Sequence, residues 1–549
     1  MYTASFELEN GETVLHRMLL GDEVHLNSFA EFKKALFTLK LADYKNVFNR
    51  NEPELNQSER KLDAYMKACR DEMIKDKSVY FNYPPINPFY KMREIIENDP
   101  LLKVFHAMPK GGNLHIHTSA TYNATKFVKM LCENSEINNN VVIYLGKESS
   151  VFKPYQLFFI QDSSLVDRKK GFYYLNDAID KGVLTKETLI SMLSMSDDRI
   201  DEVDYIWDEF NAIFARVSPI IKTKTVFKHY YTEALLDLVE DNIDYAEIRF
   251  GPGVLTDNND ILLRDNIACE NILFEVFPEE DNTESIEIFR DAYYDVRKKH
   301  NDFKVKVIIS GSRKKNKDEP EEKAVARAIE GMKKAQKWRT QIKDEFVSSN
   351  PAEFIIGYDL VSEEDRGYRT EVYAKAIYEN NISIPFYFHD GESNWADCDN
   401  LYAAFLLGTK RAGHGINLFR FPAVMQNVIE NNIALEVCPI SNQLLRYTPD
   451  LRMHPIGEFL KRGVQCVICS DDPQIFNYSG LRYDFLELYY ALLIDLRAVK
   501  KLIKNSYLYS GMEKSIEIHA KMREWQLKWD DFVAQSLEQF ERETKERRE

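Results

Sequence analysis

The sequence predicts an α/β fold, namely a (β/α)8 TIM barrel with an N-terminal helical extension and a large insertion after strand 1. Short apolar runs recur eight times, helical stretches separate most of them, and polar residues stand where several runs end. Strands that alternate with helices pair in parallel, and eight such units close into a barrel. The eight runs are Gly112–His117, Tyr245–Phe250, Val305–Ser310, Phe354–Asp359, Ile384–His389, Lys410–His414, Ala434–Cys438 and Gln465–Asp471.

The remaining segments are arranged around these runs. Residues 1–105 are charged and periodic, which predicts a helical extension that serves either as an oligomerisation arm or as a barrel cap. Residues 106–500 hold the barrel, and the long interval between the first two strands predicts an insertion at about 119–225. An insertion after a barrel strand lies over the face that carries the active site. Residues 501–549 are expected to form a C-terminal helical tail.

Composition excludes several classes of function. The 549 residues are 44% hydrophobic, which is enough for a large core, and the net charge of −16 argues against a nucleic acid polymer as partner. Seven scattered cysteines fit a reducing compartment. No basic and apolar leader stands at the N-terminus, and no run approaches the ~18 apolar residues of a membrane span. We therefore expect a cytoplasmic protein without a membrane partner.

Histidines and acids follow several of the predicted strands. His115 and His117 lie two apart and point to one side of the first strand, His389 ends the fifth, and Asp471 ends the eighth. Three imidazoles and one carboxylate suit zinc and leave one position for water. We predict one Zn²⁺ per subunit, held by His115, His117, His389 and Asp471.

Further residues beside this set predict the catalytic groups. Glu392 follows His389 after a glycine and is a candidate general acid that protonates a ring nitrogen of the substrate. His414, which ends the sixth strand, and Asp471 are expected to orient or deprotonate the attacking water. Asp472 is a candidate contact to another ring nitrogen, and Gly357 would let the backbone approach a flat ligand closely.

These residues also carry a family resemblance. The segments Met108–His117, His389–Glu392, Arg411–Gly415 and Ser470–Pro473 resemble, in order, the signatures of the adenosine deaminases. Three further features, Glu436–Gln443, Gly357–Val361 and the pair Trp207 and Phe210, are similar to the growth-factor-like branch of that family. The resemblance covers roughly residues 105–500.

The resemblance implies hydrolytic deamination at C6 of a 6-aminopurine, giving an inosine-type product and ammonia. It also implies that Gly357, Asp472 and Trp207 contact the substrate, that Glu392 protonates N1, and that His414 lies beside the attacking water. A small-molecule purine nucleoside or nucleotide is the expected partner, and a homo-oligomer is the expected assembly.

The sequence departs from the family pattern where the sugar is held. Hydroxyl residues Thr118 and Ser119 follow the second histidine in place of an acid, Asn211 replaces a glutamate, and Ser312 replaces a histidine. Loss of carboxylates would let the site accept a 5′-phosphate, because a carboxylate repels phosphate and hydroxyls do not. Adenosine or 2′-deoxyadenosine on one side, and AMP or dAMP on the other, therefore both stay open as substrates.

Two other functions compete with deamination of adenine. One is a metal hydrolase of the same barrel superfamily that acts on another ring, and the other is a non-catalytic purine-binding signalling protein. The first usually shows a bridging lysine, and the fourth strand ends in Gly357–Tyr358–Asp359 without one. The second is disfavoured by the complete set of ligands and by Glu392. The residue Asp390, which replaces a usual small residue in the His-x-Gly-Glu signature, has no explanation from the sequence.

Overall fold

The structure is a computed structural model. It describes residues 53–75, 82–267, 282–316, 319–346, 351–395, 397–512 and 515–546, together with the single positions Ala30 and Lys33. Most of the predicted N-terminal extension before residue 53, as well as Cys269, lies outside the described residues.

The strands of the described region lie between residues 111 and 468. The eight apolar runs of the sequence are all found as extended segments of one parallel barrel, which confirms the predicted fold class. The strands are β1 (Gly111–His117), β2 (Val141–Tyr144), β3 (Leu157–Phe159), β4 (Phe172–Tyr174), β5 (Ile243–Phe250), β6 (Lys304–Ser312), β7 (Lys343–Asp344), β8 (Ala352–Glu353), β9 (Ile355–Val361), β10 (His389–Asp390), β11 (Arg411–His414), β12 (Ala434–Val437) and β13 (Gln465–Ile468).

Two parallel sheets, β1-β5-β6-β9 and β10-β11-β12-β13, form the two halves of the barrel. At one seam the N–H of Asp471 donates to the carbonyl of His115 at 3.0 Å, and that of His117 donates to Asp471 at 3.0 Å. At the other seam Tyr358 pairs with the segment around Phe386. The fifth strand of the barrel, which ends in β10, is regular only at its end. Pro385 lies in this segment, has no N–H, and contributes only its carbonyl to the seam.

Helices surround the barrel and lie at both ends of the chain. Their bounds are Gln57–Lys75, Phe89–Glu97, Pro100–Ala107, Ala124–Glu133, Leu175–Asp180, Lys186–Met192, Ile206–Ile221, Lys224–Glu240, Asp260–Arg264, Thr283–Arg297, Glu321–Gln341, Glu371–Glu379, Asn400–Leu406, Pro422–Glu430, Pro439–Leu444, Ile456–Arg462, Arg482–Leu492, Leu496–Leu508 and Ser515–Glu546. None of the described helices is both long enough and apolar enough to cross a membrane.

The segment between β1 and β5 contains the strands β2 to β4, which form an antiparallel sheet in the order β3-β2-β4. This sheet has a small apolar cluster of its own, which includes Val142, Phe158 and Phe172. The helix Ile206–Ile221 follows and brings Trp207 and Asn211 to the cavity at the barrel mouth.

The C-terminal helices pack closely on the barrel. In the helix Leu496–Leu508, the hydroxyl of Ser506 accepts the N–H of Gly112 at 2.7 Å and so covers the start of β1. The last helix buries Trp525 and Trp529, and the indole of Trp529 donates to Glu59 of the first described helix at 2.8 Å. Both ends of the described chain therefore contribute to one core.

Candidate active site

Three imidazole nitrogens and one carboxylate converge where β1, β10 and β13 end. The Nε2 atoms of His117 and His389 lie 3.0 Å apart. Asp471 Oδ1 lies 3.2 Å from His117 Nε2 and 3.3 Å from His115 Nε2. Ligand atoms of a tetrahedral zinc site with bonds of about 2.0–2.1 Å are separated by about 3.3 Å, so the spacing fits such an ion. His115 Nε2 is also buried with no hydrogen-bond partner among the described residues.

His414 is a second neighbour of the same cluster, and its ring nitrogen lies within 4.8 Å of ligand atoms on His115, His389 and Asp471. Its Nε2 is 3.9 Å from Asp471 but 3.5 Å from Glu392. The four residues whose ligand atoms all lie within 4.8 Å of one another include His414, and His117 is grouped with Asp471 and Asp472. His117 is nevertheless the nearer of the two to Asp471, at 3.2 Å against 3.9 Å, which favours His117 as the ligand. His414 is placed between the ligand set and the candidate acid, which suits the predicted contact with water.

Buried carboxylates hold two of the histidines from behind. Nδ1 of His115 lies 2.9 Å from Glu436, and Nδ1 of His389 lies 2.5 Å from Asp359. Arg249 joins both carboxylates, with Nε donating to Asp359 at 2.7 Å and a second N–H donating to Glu436. A carboxylate on Nδ1 fixes the imidazole tautomer and aims Nε2 at the metal position.

Burial favours the neutral form of three histidines of the site. Desolvation lowers the pKa of His117, moves that of His389 well below its usual range, and lowers that of His414 to about 3. Neutral imidazoles are the form that binds a metal. The side chains are therefore ready to act as ligands near neutral pH.

The surroundings of two acids of the site favour their protonated form. Burial, and then the charge of Asp471, raises the pKa of both Glu392 and Asp472 well above the usual range. Glu392 Oε1 and Asp472 Oδ1 have no hydrogen-bond partner among the described residues. A buried, unpaired carboxyl group with a raised pKa is a typical general acid.

The backbone is strained at the same place. His414 and Asp471 are non-glycine residues with φ of 61°, in the left-handed region. Such residues cost about 1–3 kcal/mol and persist where the surrounding structure holds them. His414 is the last residue of β11, Asp471 follows the end of β13, and both turn a polar side chain into the site.

A cavity of about 700 Å³ opens from this cluster, a volume typical of small-molecule sites. Its walls include the predicted sugar and base contacts, which come from β1, the helix Ile206–Ile221, the end of β6 and the end of β13. These residues are Thr118, Ser119, Trp207, Asn211, Ser312 and Asp472. The indole of Trp207 donates to the hydroxyl of Tyr447 at 2.9 Å, which fixes the ring in the wall.

Comparisons with known proteins agree with this geometry. The sequence profile described as "Adenosine deaminase" matches residues 184–510, which is more than half of the chain. This chain belongs to the adenosine deaminase family. It is 31% identical to "Adenosine deaminase 2" of Dictyostelium discoideum over 81% of this chain and 77% of the relative. The match to a protein of that name confirms the predicted growth-factor-like branch, and the chain is an enzyme that deaminates adenosine-type purines.

Solved structures of the family share the fold. An adenine deaminase from Arthrobacter aurescens has a TM-score of 0.51 and 17% identity, covering 78% of this chain and 99% of that one. The Arabidopsis protein ADAL in complex with IMP also has a TM-score of 0.51, with 14% identity and coverage of 78% and 99%. Both agree with the (β/α)8 barrel.

The placement of Gly357 does not agree with its predicted contact to the substrate. It does not line the cavity, and a Cβ at this position would lie 2.4 Å from the ring of Tyr387 and 2.6 Å from the carbonyl of Pro385. Gly357 precedes Asp359 by two residues and therefore lies about 6.6 Å deeper on the same side of β9. Glycine is needed there for packing inside the barrel.

Ser362 lines the cavity, although the sequence pattern did not predict it as a site residue. It follows β9 with φ of 89°, and its hydroxyl lies 2.9 Å from that of Ser312. Both serines line the cavity. The signal in the sequence was its position three residues after Asp359, where the loop after a barrel strand reaches the site.

Proposed function

We propose that this chain is a zinc-dependent hydrolase that removes the 6-amino group of adenosine, 2′-deoxyadenosine and their 5′-monophosphates. The observation that carries the proposal is the cluster of His115, His117, His389 and Asp471, spaced for a tetrahedral ion, beside the unpaired acid Glu392. A zinc ion bound there would lower the pKa of a coordinated water toward about 7 and so supply a nucleophile near neutral pH.

The side chains then divide the reaction between them. Glu392, protonated because its pKa is raised, donates its proton to N1 of the purine as water adds to C6. His414 lies 3.5 Å from Glu392 and accepts a proton from the attacking water. Asp472, also protonated, donates a hydrogen bond to another ring nitrogen. The protonated His414 then passes its proton to the amino group, and the C6–N bond breaks as the new C6 hydroxyl gives its proton to Glu392. Ammonia leaves, the 6-oxo product remains, and both side chains return to their starting states.

Basic residues in the cavity wall support a phosphorylated substrate. The exposed residues Lys314 and Lys315 line the cavity together with Ser312 and Ser362, and Lys315 Nζ lies 5.1 Å from the centre of the Tyr368 ring. Ammonium and hydroxyl groups bind phosphate oxygens directly. The same barrel fold holds a purine monophosphate in the Arabidopsis ADAL complex with IMP.

Steady-state rates on adenosine, deoxyadenosine, AMP and dAMP test the proposal. The rates are measured from the change in ultraviolet absorbance as the adenine ring becomes hypoxanthine. We expect turnover of all four and loss of activity after chelation, with recovery on addition of Zn²⁺. Turnover of the two nucleosides alone would contradict the phosphate site. Binding of all four without release of ammonia would contradict catalysis and favour a purine-binding signalling protein.

The predicted homo-oligomer and the predicted cytoplasmic location stay predictions. Light scattering coupled to size-exclusion chromatography measures the assembly, and imaging of the tagged full chain in its own cells measures the compartment.

A further inference from the structure

A buried ion pair lies directly behind the His389–Glu392 motif. The carboxylate of Asp390 accepts an N–H of Arg313 at 2.8 Å and the hydroxyl of Thr370 at 2.8 and 2.9 Å. All three residues have no exposed surface. Asp390 is the residue that departs from the family signature, and Arg313 comes from the loop after β6, 77 residues away in sequence.

Arg313 also binds the backbone of two neighbouring strands. The same terminal nitrogen donates to the carbonyl of His389 at 2.6 Å, and Nε donates to that of Leu360 at 3.3 Å. Leu360 follows Asp359, the carboxylate that holds the ring of His389. One guanidinium therefore joins the ligand strand to the strand that orients the ligand, which its planar set of donors permits.

A second carboxylate holds the other side of the motif. Glu364 accepts the N–H of Gly391 at 2.9 Å and that of Ser393 at 2.8 Å. It also accepts the amide of Asn400 at 2.9 Å, and Asn400 in turn accepts the N–H of Thr370 at 2.9 Å. The network thus closes around the turn that carries Glu392.

The acid itself is held differently from its neighbours. The backbone on both sides of Glu392 is bound by Arg313 and Glu364, whereas Glu392 Oε1 has no hydrogen-bond partner among the described residues. A fixed backbone with an unpaired side chain keeps the carboxyl group aimed into the cavity and available to the substrate.

We propose that Arg313 and Asp390, together with Glu364, are positioning residues that hold Glu392 and His389 in their reactive arrangement. The proposal rests on the role of Glu392 given under the proposed function. Misplacement of a catalytic group by about 1 Å costs on the order of 100-fold in rate, so loss of the pair is expected to lower kcat and to leave KM unchanged.

The test separates positioning from stability. Removing one charge of a buried pair leaves the other unpaired, whereas replacing both by apolar residues of similar size is often neutral for folding. The variant is therefore Arg313→Met/Asp390→Leu. The matched control is Arg297→Met/Asp344→Leu, a pair with 3.0 Å between charged atoms, about nine-tenths buried, and remote from the cavity.

We expect Arg313→Met/Asp390→Leu to keep its zinc content and its KM and to lose about 10- to 100-fold in kcat. Arg313→Lys, which keeps the charge but lacks the planar fork of donors, should lose less kcat than the double variant. The control pair should keep the wild-type kcat. A folded variant with wild-type kcat overturns the proposal.

Two further outcomes are decisive. If the double variant does not fold, Thr370→Val takes its place, since it keeps the shape and removes only the hydroxyl that holds Asp390. A several-fold lower kcat then supports positioning, and an unchanged kcat overturns it. A wild-type enzyme that is inactive on all adenine substrates overturns the proposed function and this inference together, whereas an active wild type with an equally active variant overturns the inference alone.

Discussion

Replacement of Glu392 by glutamine is the change that tests the proposed chemistry most directly. Glutamine keeps the size of the side chain but has no acidic proton to give to N1. General acid catalysis contributes about 10²–10⁴-fold in rate, which corresponds to about 2.7–5.4 kcal/mol of transition-state stabilisation. We expect Glu392→Gln to lose kcat by that factor and to keep its zinc, because Glu392 is not among the four proposed ligands.

The same substitution has a consequence for stability that can be measured in metal-stripped protein. The pKa of Glu392 is raised above its value of about 4.3 in an unfolded chain. Such a group favours the folded state below that pH, and the benefit is lost as pH rises toward the folded pKa. Glu392→Gln should therefore be more stable than the wild type at pH 7, by about 1.4 kcal/mol for each unit of the shift up to a limit of about 3.7 kcal/mol when the folded pKa is 7 or higher, and equally stable near pH 4.

Release of ammonia, zinc content by mass spectrometry and urea unfolding at pH 7 and pH 4 measure these effects. Glu371→Gln is the control, because Glu371 is an exposed carboxylate in the first turn of the helix Glu371–Glu379. Less than a tenfold loss of kcat in Glu392→Gln would refute its role as the acid. A loss of zinc would show that it is a ligand, and lower stability at pH 7 would refute the raised pKa.

Three other predictions follow from the placement of side chains. His117→Ala should lose most of its bound zinc, whereas His414→Ala should retain zinc and lose about 100-fold in kcat. Lys314→Ala/Lys315→Ala should raise KM for AMP about tenfold or more and leave KM for adenosine unchanged, since each charged hydrogen bond to phosphate contributes about 1.5–3 kcal/mol. Gly357→Ala should lower the free energy of unfolding by about 1–3 kcal/mol, because its Cβ would overlap a packed ring, and leave KM unchanged.

Each of these predictions has a control in the same chain. Lys333→Ala removes an exposed lysine from the barrel helix Glu321–Gln341 and should change neither KM. At Gly253 an added Cβ would come no closer than 3.9 Å to another residue, so Gly253→Ala should be neutral for stability. The histidine prediction is contradicted if His117→Ala and His414→Ala lose zinc equally. The lysine prediction is contradicted if KM changes equally for AMP and adenosine. The glycine prediction is contradicted if Gly357→Ala raises KM.

The sequence predicts the strand ends well because the relevant pattern is local. An apolar run that stops at a histidine or aspartate marks both the strand and the residue at its mouth, and parallel strands bring those ends together. His115, His389 and Asp471 could therefore be placed near one another without a structure, and their ligand atoms do converge.

Depth within the barrel and long-range pairing could not be predicted in the same way. Gly357 lies on the same face of β9 as Asp359, but two residues earlier in the strand. It is therefore below the site and against Tyr387, and this contact depends on the register between strands. The partner of Asp390 comes from another loop, and no local pattern in the sequence links it to Arg313. Both depend on how the strands and loops are packed together.

The charges inside the barrel favour a cation at the site. Arg249 and Arg411 contact the carboxylates of Asp359, Glu436 and Glu247. With Asp471 at the mouth, these are two guanidinium groups against four carboxylates, and burial raises the pKa of Glu392 and Asp472 beside them. Two negative charges of this group are left unbalanced in a buried volume, which is costly. A divalent ion on Asp471 and the neutral imidazoles balances them. Without the ion, protons must do so, and metal affinity should therefore fall as pH falls.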